Sequence, residues 1–255
     1  MTTATSNPAL LPSRLTVGAF QSNCYILGPA PCGNTVVIDP GAQATRIIRA
    51  LETTTDRISA ILLTHAHVDH VGAVAALKRR WDAPVYLHGA DLPVYERTVE
   101  SGALFGLSVE QPPKPDLELC DGDRLVFGEI DLSVRHVPGH SPGHVVFVGD
   151  DQAFVGDTVF AGSIGRTDLW GGDFQTLIDG IVSRILSLPP GFRLHPGHGG
   201  STTVAREAET NPFLAGLTEP CRVCGAPQSP RIAGCKAGHC PHCSHPYPHG
   251  DCSDV

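Results

Sequence analysis

The stretch "LLTHAHVDHVG", residues 62–72, ends an apolar run with three histidines and an aspartate inside six positions. Crowded imidazoles repel one another when protonated and leave unpaired polar atoms when neutral. Placing His65, His67, Asp69 and His70 together at the end of a buried strand is therefore costly unless something sits among them. In an extended strand end, residues two apart point to the same side, so His65 and His67 can share one metal as neutral imidazole ligands. Asp69 and His70, past the bend, face elsewhere and can hold a second. The residues before the cluster, "ISAILLT" (58–64), read as a buried strand, and those after it, "VGAVAALKRRW" (71–81), have helical spacing and a basic end suited to the helix dipole.

Working outward, the same alternation of short strands and helices runs from residue 14 to about 215 and argues for an α/β layered domain. "LTVGAF" (15–20), "NCYILG" (23–28) and "TVVID" (35–39) read as strands, "ATRIIRALE" (44–52) as a helix, and "APVYLH" (83–88) as another strand. The proline-rich "EQPPKPDLELCDGD" (110–123) reads as a loop crossing to the second half. There "DRLVFG", "IDLSVRHV", "HVVFVG" and "AFVGD" supply four strands, "DFQTLIDGIVSRILSL" (173–188) a long amphipathic helix, and "FRLHPG" (192–197) a last strand. Two halves, each made of strands followed by a helix, suggest two sheets packed face to face with helices outside. Periodicity alone does not separate that from a doubly wound sheet. The expected organisation is a flexible N-terminus (1–13), a catalytic domain (14–216) and a Cys/His-rich tail (217–255).

A metal needs ligands from elsewhere in the chain. "HVPGHSPGHVVF" offers His136, His140 and His144, "FVGDTVF" offers Asp157 at a strand end, and "RLHPGHGGSTT" offers His195 and His198. Each lies where a strand meets a glycine-rich turn, which lets backbone and ligand approach closely. Asp39, at the end of "TVVID", is a candidate acceptor for the second nitrogen of a ligating imidazole. His144 reads as a core hydrogen-bonding residue, and Thr64 and Asn23 read as structural.

The order HxHxDH, PGHSPGH, GDT, PGH resembles the metallo-β-lactamase superfamily over residues 14 to about 215. The resemblance implies a four-layer αβ/βα sandwich with two metals in a cleft at one edge of the sheets. His65, His67 and His140 would bind the first metal, Asp69, His70 and His198 the second, and Asp157 would bridge them. Asp69 and Asp157 are thereby the implied catalytic carboxylates. The implied cofactors are two divalent ions, zinc first, with iron or manganese as alternatives. Within the superfamily, "GDTVFAGSIGRTDLWGGD" (156–173) looks most like glyoxalase II, the hydroxyacylglutathione hydrolases. That group places a cation for the carboxylate of the thiol carrier where Arg166 stands, and a guanidinium can fork two hydrogen bonds onto a carboxylate. The bland alternative for Arg166 is an ion pair with Asp168. The loops around 100–115 and 163–175 would hold the carrier end of the substrate. The expected substrate is a small-molecule thioester. Long glyoxalase II enzymes add a C-terminal helical domain; nothing after residue 220 reads as helical, so the chain resembles the shorter bacterial forms.

Two rivals stand beside this reading. Persulfide dioxygenases share the fold and a "GRTD" stretch like residues 165–168 but use a single iron, which His65, His140 and Asp157 would hold as a two-histidine, one-carboxylate set. A non-catalytic metal-binding scaffold is the other.

The totals narrow the partners. With 18 basic and 26 acidic residues the formal charge is −8, which discourages a broad grip on nucleic acid or anionic lipid. No stretch approaches the roughly 18–20 apolar residues of a membrane span, and the N-terminal segment lacks the features of a leader, so a cytoplasmic enzyme is expected. Six of the nine cysteines fall in the last 35 residues. In a cytoplasmic chain they read as thiols or metal ligands. Cys221, Cys224, Cys240 and Cys243 form C-x2-C, fifteen residues, C-x2-C, which is zinc-ribbon spacing. Such a zinc would fold a tail that has almost no large apolar residues of its own. The tail is the expected site of any protein partner or self-association.

Overall fold

The structure, a computed structural model, describes residues 12–28, 34–55, 57–215 and 217. The N-terminus read as flexible falls almost wholly outside the described residues. So does the Cys-rich tail with Cys221, Cys224, Cys240 and Cys243 and the zinc expected there.

Strands of the first half are β1 (Ser13–Val17), β2 (Ser22–Leu27), β3 (Thr35–Ile38), β4 (Ile58–Leu62), β5 (Val85–His88) and β6 (Leu117–Leu119). They form one sheet in chain order, antiparallel from β1 to β3 and parallel from β3 to β6. The second half contributes β7 (Arg124–Phe127), β8 (Ile130–His136), β9 (Val145–Val148), β10 (Gln152–Gly156), β11 (Val159–Phe160), β12 (Ser163–Ile164), β13 (Arg193–Pro196) and β14 (Thr202–Thr203). Six of these make a second sheet in the order β14-β13-β10-β9-β8-β7, while β11 and β12 form a separate hairpin. The helices are α1 (Ala44–Glu52), α2 (Val68–Val71), α3 (Val74–Trp81), α4 (Leu92–Tyr95), α5 (Thr98–Leu104), α6 (Phe174–Gly180) and α7 (Val204–Thr210).

Side-chain alternation along the strands decides the layering. Val36 and Ile38 of β3, Ala60 and Leu62 of β4, Val145 and Phe147 of β9 and Phe154 of β10 meet in one buried cluster between the sheets. Their neighbours face the other way. Val37 and Ile61 pack with Ile47 and Leu51 of α1 and Val74 and Leu77 of α3, and Val146, Ala153 and Val155 pack with Leu177 and Ile178 of α6 and Val204 of α7. A strand buried on both faces reads as a continuous apolar run, as "AILL" and "VVFV" do. The result is helices, sheet, sheet, helices: the four-layer sandwich, and not the doubly wound alternative.

Local departures from the sequence reading have simple causes. The first strand stops at Val17, because Gly18 takes a positive φ of 72° and starts the turn into β2. The loop expected over 110–123 contains β6, which adds to the sheet edge beside β5; Pro112, Pro113 and Pro115 precede it and bar a helix but not an edge strand. The long helix after Asp173 is α-helical to Gly180 and then π-wound over Ile181–Ile185, with Leu186 N–H donating to the Ile181 carbonyl five residues back at 2.9 Å. No helix among the described residues is long and apolar enough to cross a membrane.

Candidate metal centre

The ligand-type residues sit where strands stop. His65 follows β4, His140 lies in the turn between β8 and β9, Asp157 follows β10, and His198 follows β13. β10 and β13 are parallel, so Asp157 and His198 emerge at the same end. The two sheets are joined there: Val145 N–H donates to the Thr64 carbonyl at 2.8 Å, Asn23 N–H to the Gly197 carbonyl at 2.7 Å, and Ser22 bridges to His198. β4 therefore delivers His65 and His67 in extended chain, and α2, opening with extended His67 as its N-cap, turns Asp69 and His70 onto the neighbouring face.

All seven predicted ligands come together. His65, His67 and His140 form one group and Asp69, His70 and His198 another, with the potential donor atoms in each within 4.8 Å of one another. In the first group His67 Nδ1 faces His140 Nε2 at 2.9 Å. In the second, His198 Nε2 lies 3.2 Å and His70 Nε2 3.5 Å from Asp69 Oδ2. Asp157 stands between them: Oδ2 is 3.6 Å from His140 Nε2 and 3.3 Å from His198 Nε2, and Oδ1 is 3.5 Å from His70 Nε2. Ligands about 2.0–2.2 Å from a shared tetrahedral ion lie about 3.3–3.6 Å apart, so much of this spacing is that of atoms aimed at a common centre.

The outward nitrogens of His65, His70, His140 and His198 are occupied, which turns their other nitrogens inward. Asp39 Oδ2 lies 3.0 Å from His70 Nδ1 and accepts from the Thr64 hydroxyl at 2.7 Å, and that hydroxyl lies 3.0 Å from His65 Nδ1. His140 Nδ1 donates to the Arg166 carbonyl at 2.7 Å, and His198 Nδ1 to the Phe20 carbonyl at 3.0 Å. A histidine whose second nitrogen donates to an oxygen presents a lone pair at the first. His65 Nε2, His70 Nε2 and Asp157 Oδ1 are buried with no hydrogen-bond partner among the described residues, an arrangement that costs free energy unless a cation satisfies them. The residues fit a pair of metal ions.

Electrostatics divides the two groups. Burial, then the neighbouring imidazoles, push the His65 pKa well below its ordinary value, and burial with His140 lowers His67 to about 3, so both are neutral. Burial also disfavours charge on His70 and His198, but there the carboxylates win: Asp69 and Asp157 raise His70 well above the ordinary value, and hydrogen bonds to Asp157 and Asp69 raise His198 to about 10. In return, burial of Asp157 is outweighed by His70 and its other histidine neighbours, and its pKa falls well below normal. In the first group, His65 and His67 suit a cation bound by neutral donors. In the second, protons occupy the place of a cation.

Other sequence-marked residues sort themselves by contact. His144 is buried and accepts from the Asp157 N–H at 3.0 Å, as read. His195 lies away from both groups, between Gln152 Oε1 at 2.9 Å and Ser201 Oγ at 3.0 Å, and His136 stacks on His88 with ring centroids 4.2 Å apart. Asn23 holds the His198 turn through the carbonyls of Pro196 and Gly199 at 3.0 and 2.9 Å. Thr64, read as structural, is the relay between His65 and Asp39. Arg166 forks onto Asp168 at 2.7 and 2.8 Å, and its backbone carbonyl, not its guanidinium, meets the centre. Sequence reasoning missed Asp91, whose buried carboxylate accepts from Ala66, Ser141 and Gly143, and Ser22, whose hydroxyl donates to the Asp69 carbonyl at 2.7 Å. A lone aspartate after a strand carries no motif that could have singled it out.

Comparison with known proteins agrees with this geometry. The family model described as "Metallo-beta-lactamase superfamily" matches residues 17–207. The chain is 37% identical over 202 residues to "Hydroxyacylglutathione hydrolase GloC" of Haemophilus influenzae (78% of this chain, 95% of that one) and 38% identical over 208 residues to "Probable metallo-hydrolase YqgX" of Bacillus subtilis (80% and 98%). Among solved structures it resembles TTHA1623 in a di-iron-bound form (46% identity, TM-score 0.73, 79% of this chain and 100% of that one). It also resembles BLEG-1 B3 metallo-beta-lactamase (38%, 0.75, 81% and 100%) and ETHE1 from Myxococcus xanthus (25%, 0.67, 81% and 85%). The fold, the di-iron-bound neighbour and the two His/Asp groups together support a dinuclear metal centre. By its fold, its clustered ligands and this match across most of its length, the chain belongs to the metallo-β-lactamase superfamily.

Proposed function

We propose that the protein is a metal-dependent hydrolase of thioesters of the hydroxyacylglutathione class, resembling S-lactoylglutathione. The observation that carries the reading is the placement of Asp157 between two ligand groups, one all-imidazole and one containing Asp69. The relative named hydroxyacylglutathione hydrolase supports the substrate class, and the relative named probable metallo-hydrolase supports the broader reaction.

His65, His67 and His140 would hold one cation, Asp69, His70 and His198 the other, with Asp157 shared. Such ions, when bound, would lower the pKa of a coordinated water toward neutrality and stabilise negative charge on a carbonyl oxygen. The chain's own contribution is orientation. Asp39 and Thr64 fix the tautomers of His70 and His65, and the Arg166 and Phe20 carbonyls fix those of His140 and His198. A thiolate leaving group of pKa roughly 8.5 needs no side-chain acid. Beside Asp69 a cleft lined by Phe20, Ala42, Val68, Leu107, Ser108 and Val109 offers room for part of the substrate. Arg166 would hold the carrier carboxylate by exchanging Asp168 for it, an exchange open to an exposed pair.

The likeness to ETHE1 and the Gly165–Asp168 turn support a second reading, a mononuclear iron oxidoreductase of the persulfide dioxygenase type using His65, His140 and Asp157. One experiment separates the two. Metal content is measured on the full chain, and free-thiol release is followed on a thioester panel, with β-lactams and a glutathione persulfide as comparison substrates. Two cations in the centre, a zinc lost on Cys221→Ser/Cys224→Ser substitution, and thiol release are expected. A single iron with oxygen uptake and no thiol release would overturn the hydrolase.

A further inference from the structure

Asp91 ends the short turn that follows β5 and is 0% exposed. It stands at the N-cap position of α4, yet its side chain does not cap that helix. Its carboxylate instead reaches two loops far from it in sequence. Oδ2 accepts from the Ala66 N–H at 2.7 Å and from the Ser141 hydroxyl at 2.9 Å, and Oδ1 accepts from the Gly143 N–H at 2.5 Å. Ala66 lies between His65 and His67. Ser141 is next to His140, and Gly143 closes the same turn.

We infer that Asp91 is the positioning residue of the first cation site: one buried carboxylate sets the His65–His67 strand end and the His140 turn at the separation that a single metal ion requires. The inference rests on the reading of His65, His67 and His140 as ligands of one ion. Three features carry it. Among the described residues every donor to Asp91 belongs to one of the two ligand-bearing segments, and none comes from α4. The approach is too close for ordinary side chains, since a Cβ on Gly143 would lie 2.6 Å from Asp91 N and 3.0 Å from Oδ1, which explains the glycine in "SPGH". Imidazole ligates a metal only in its neutral form, so a divalent ion held by three of them keeps most of its charge, and a buried carboxylate on the adjacent backbone offsets part of it.

An amide cannot reproduce the pattern. Asparagine can keep its oxygen toward Ala66 and Ser141 only by turning its NH2 on the Gly143 N–H, so the His140 turn is released while the bulk is unchanged. The test is titration of the metal-free full-length chain with Zn(II) against a chromophoric chelator, with circular dichroism to verify folding. Two equivalents are expected in the centre of the wild type. In Asp91→Asn one of them keeps its affinity and the other weakens about 10–100-fold, the usual cost of losing a group that orients a metal ligand. Added to His198→Ala, which disables the second group, Asp91→Asn weakens the remaining equivalent. Added to His67→Ala, which disables the first, it changes nothing.

A folded Asp91→Asn chain with both affinities unchanged, or with both reduced alike, overturns the inference. If Asp91→Asn does not fold, Ser141→Ala decides, because it removes one donor and leaves the carboxylate paired twice. A loss of roughly two- to tenfold confined to one equivalent supports the clamp, and no loss overturns it. Failure of the underlying dinuclear reading looks different, since the wild-type centre itself would then take up fewer than two equivalents.

Discussion

Asp39 couples the two halves of the centre through one side chain. It accepts from Thr64 N–H at 2.8 Å and from the Thr64 hydroxyl at 2.7 Å, and lies 3.0 Å from His70 Nδ1. It does so from a left-handed backbone, φ 51°, that asparagine tolerates and alanine does not. Asp39→Asn therefore tests hydrogen bonding without adding strain. The amide oxygen can take the place shared by His70 Nδ1 and the Thr64 hydroxyl only by turning its NH2 on the Thr64 N–H, so the acceptor that holds His70 is displaced. Cation affinity of the Asp69–His70–His198 group is expected to fall about 10–100-fold by chelator competition, with little change in thermal stability of the metal-free chain. The sequence reading reached Asp39 because it ends a strand and ligating imidazoles need acceptors. It did not reach Asp91, whose donors lie 25, 50 and 52 residues away and leave no local pattern. Arg166 shows the reverse case: its charge drew attention, while the atom that meets the centre is its carbonyl, which residue type does not encode.

At the scale of elements, strands were legible wherever both faces are buried. "AILL", "VVFV" and "AFVG" are nearly all apolar because each lies between a helix layer and the facing sheet. Short edge pieces were not: β6 is a three-residue strand with two exposed positions, and β14 has only two residues, too few for any period to emerge. Helix continuity was overread over Ile181–Ile185, since Ile181 and Ile185 are buried together whether the backbone is α- or π-wound. The turns that carry ligands are tight enough to exclude side chains. A Cβ on Gly165 would sit 1.8 Å from the Asp157 carbonyl oxygen and 3.1 Å from His140 Nδ1, so Gly165→Ala must push β12 off both ligands. The expected cost is at least about 1–3 kcal/mol, a fall of roughly 2–12 °C in Tm for a chain this size, together with reduced metal content. Gly191→Ala is the control, because no described residue lies within 4 Å of its Cβ. Equal melting temperatures for the two variants would show that the Gly165 turn yields freely.

Across the whole molecule, the centre is the place where two sheets with separate outer cores share polar groups, so its charge state bears on stability as well as on reaction. The metal-free chain balances Asp69 and Asp157 with protons on His70 and His198, whose pKa values are raised, the latter to about 10. A histidine raised in the folded state contributes stability that is fully present below its unfolded value of about 6.5 and fades as pH climbs through the folded one. Metal uptake has the opposite slope, because those protons must leave before the nitrogens can ligate. Cation binding to the second group should therefore release close to two protons near pH 7, and binding to the first almost none, since His65 and His67 are already neutral. Calorimetric titration in buffers of different ionisation enthalpy counts them. The gap in Tm between metal-loaded and chelator-stripped protein is set by metal uptake, so it widens from pH 6 to pH 9 as the displaced protons become easier to lose. At a thousandfold excess of cation over Kd each site adds about 4 kcal/mol, or roughly 8–16 °C in Tm at this chain length. A gap that narrows as pH rises would mean that His70 and His198 are not the groups that exchange protons for metal.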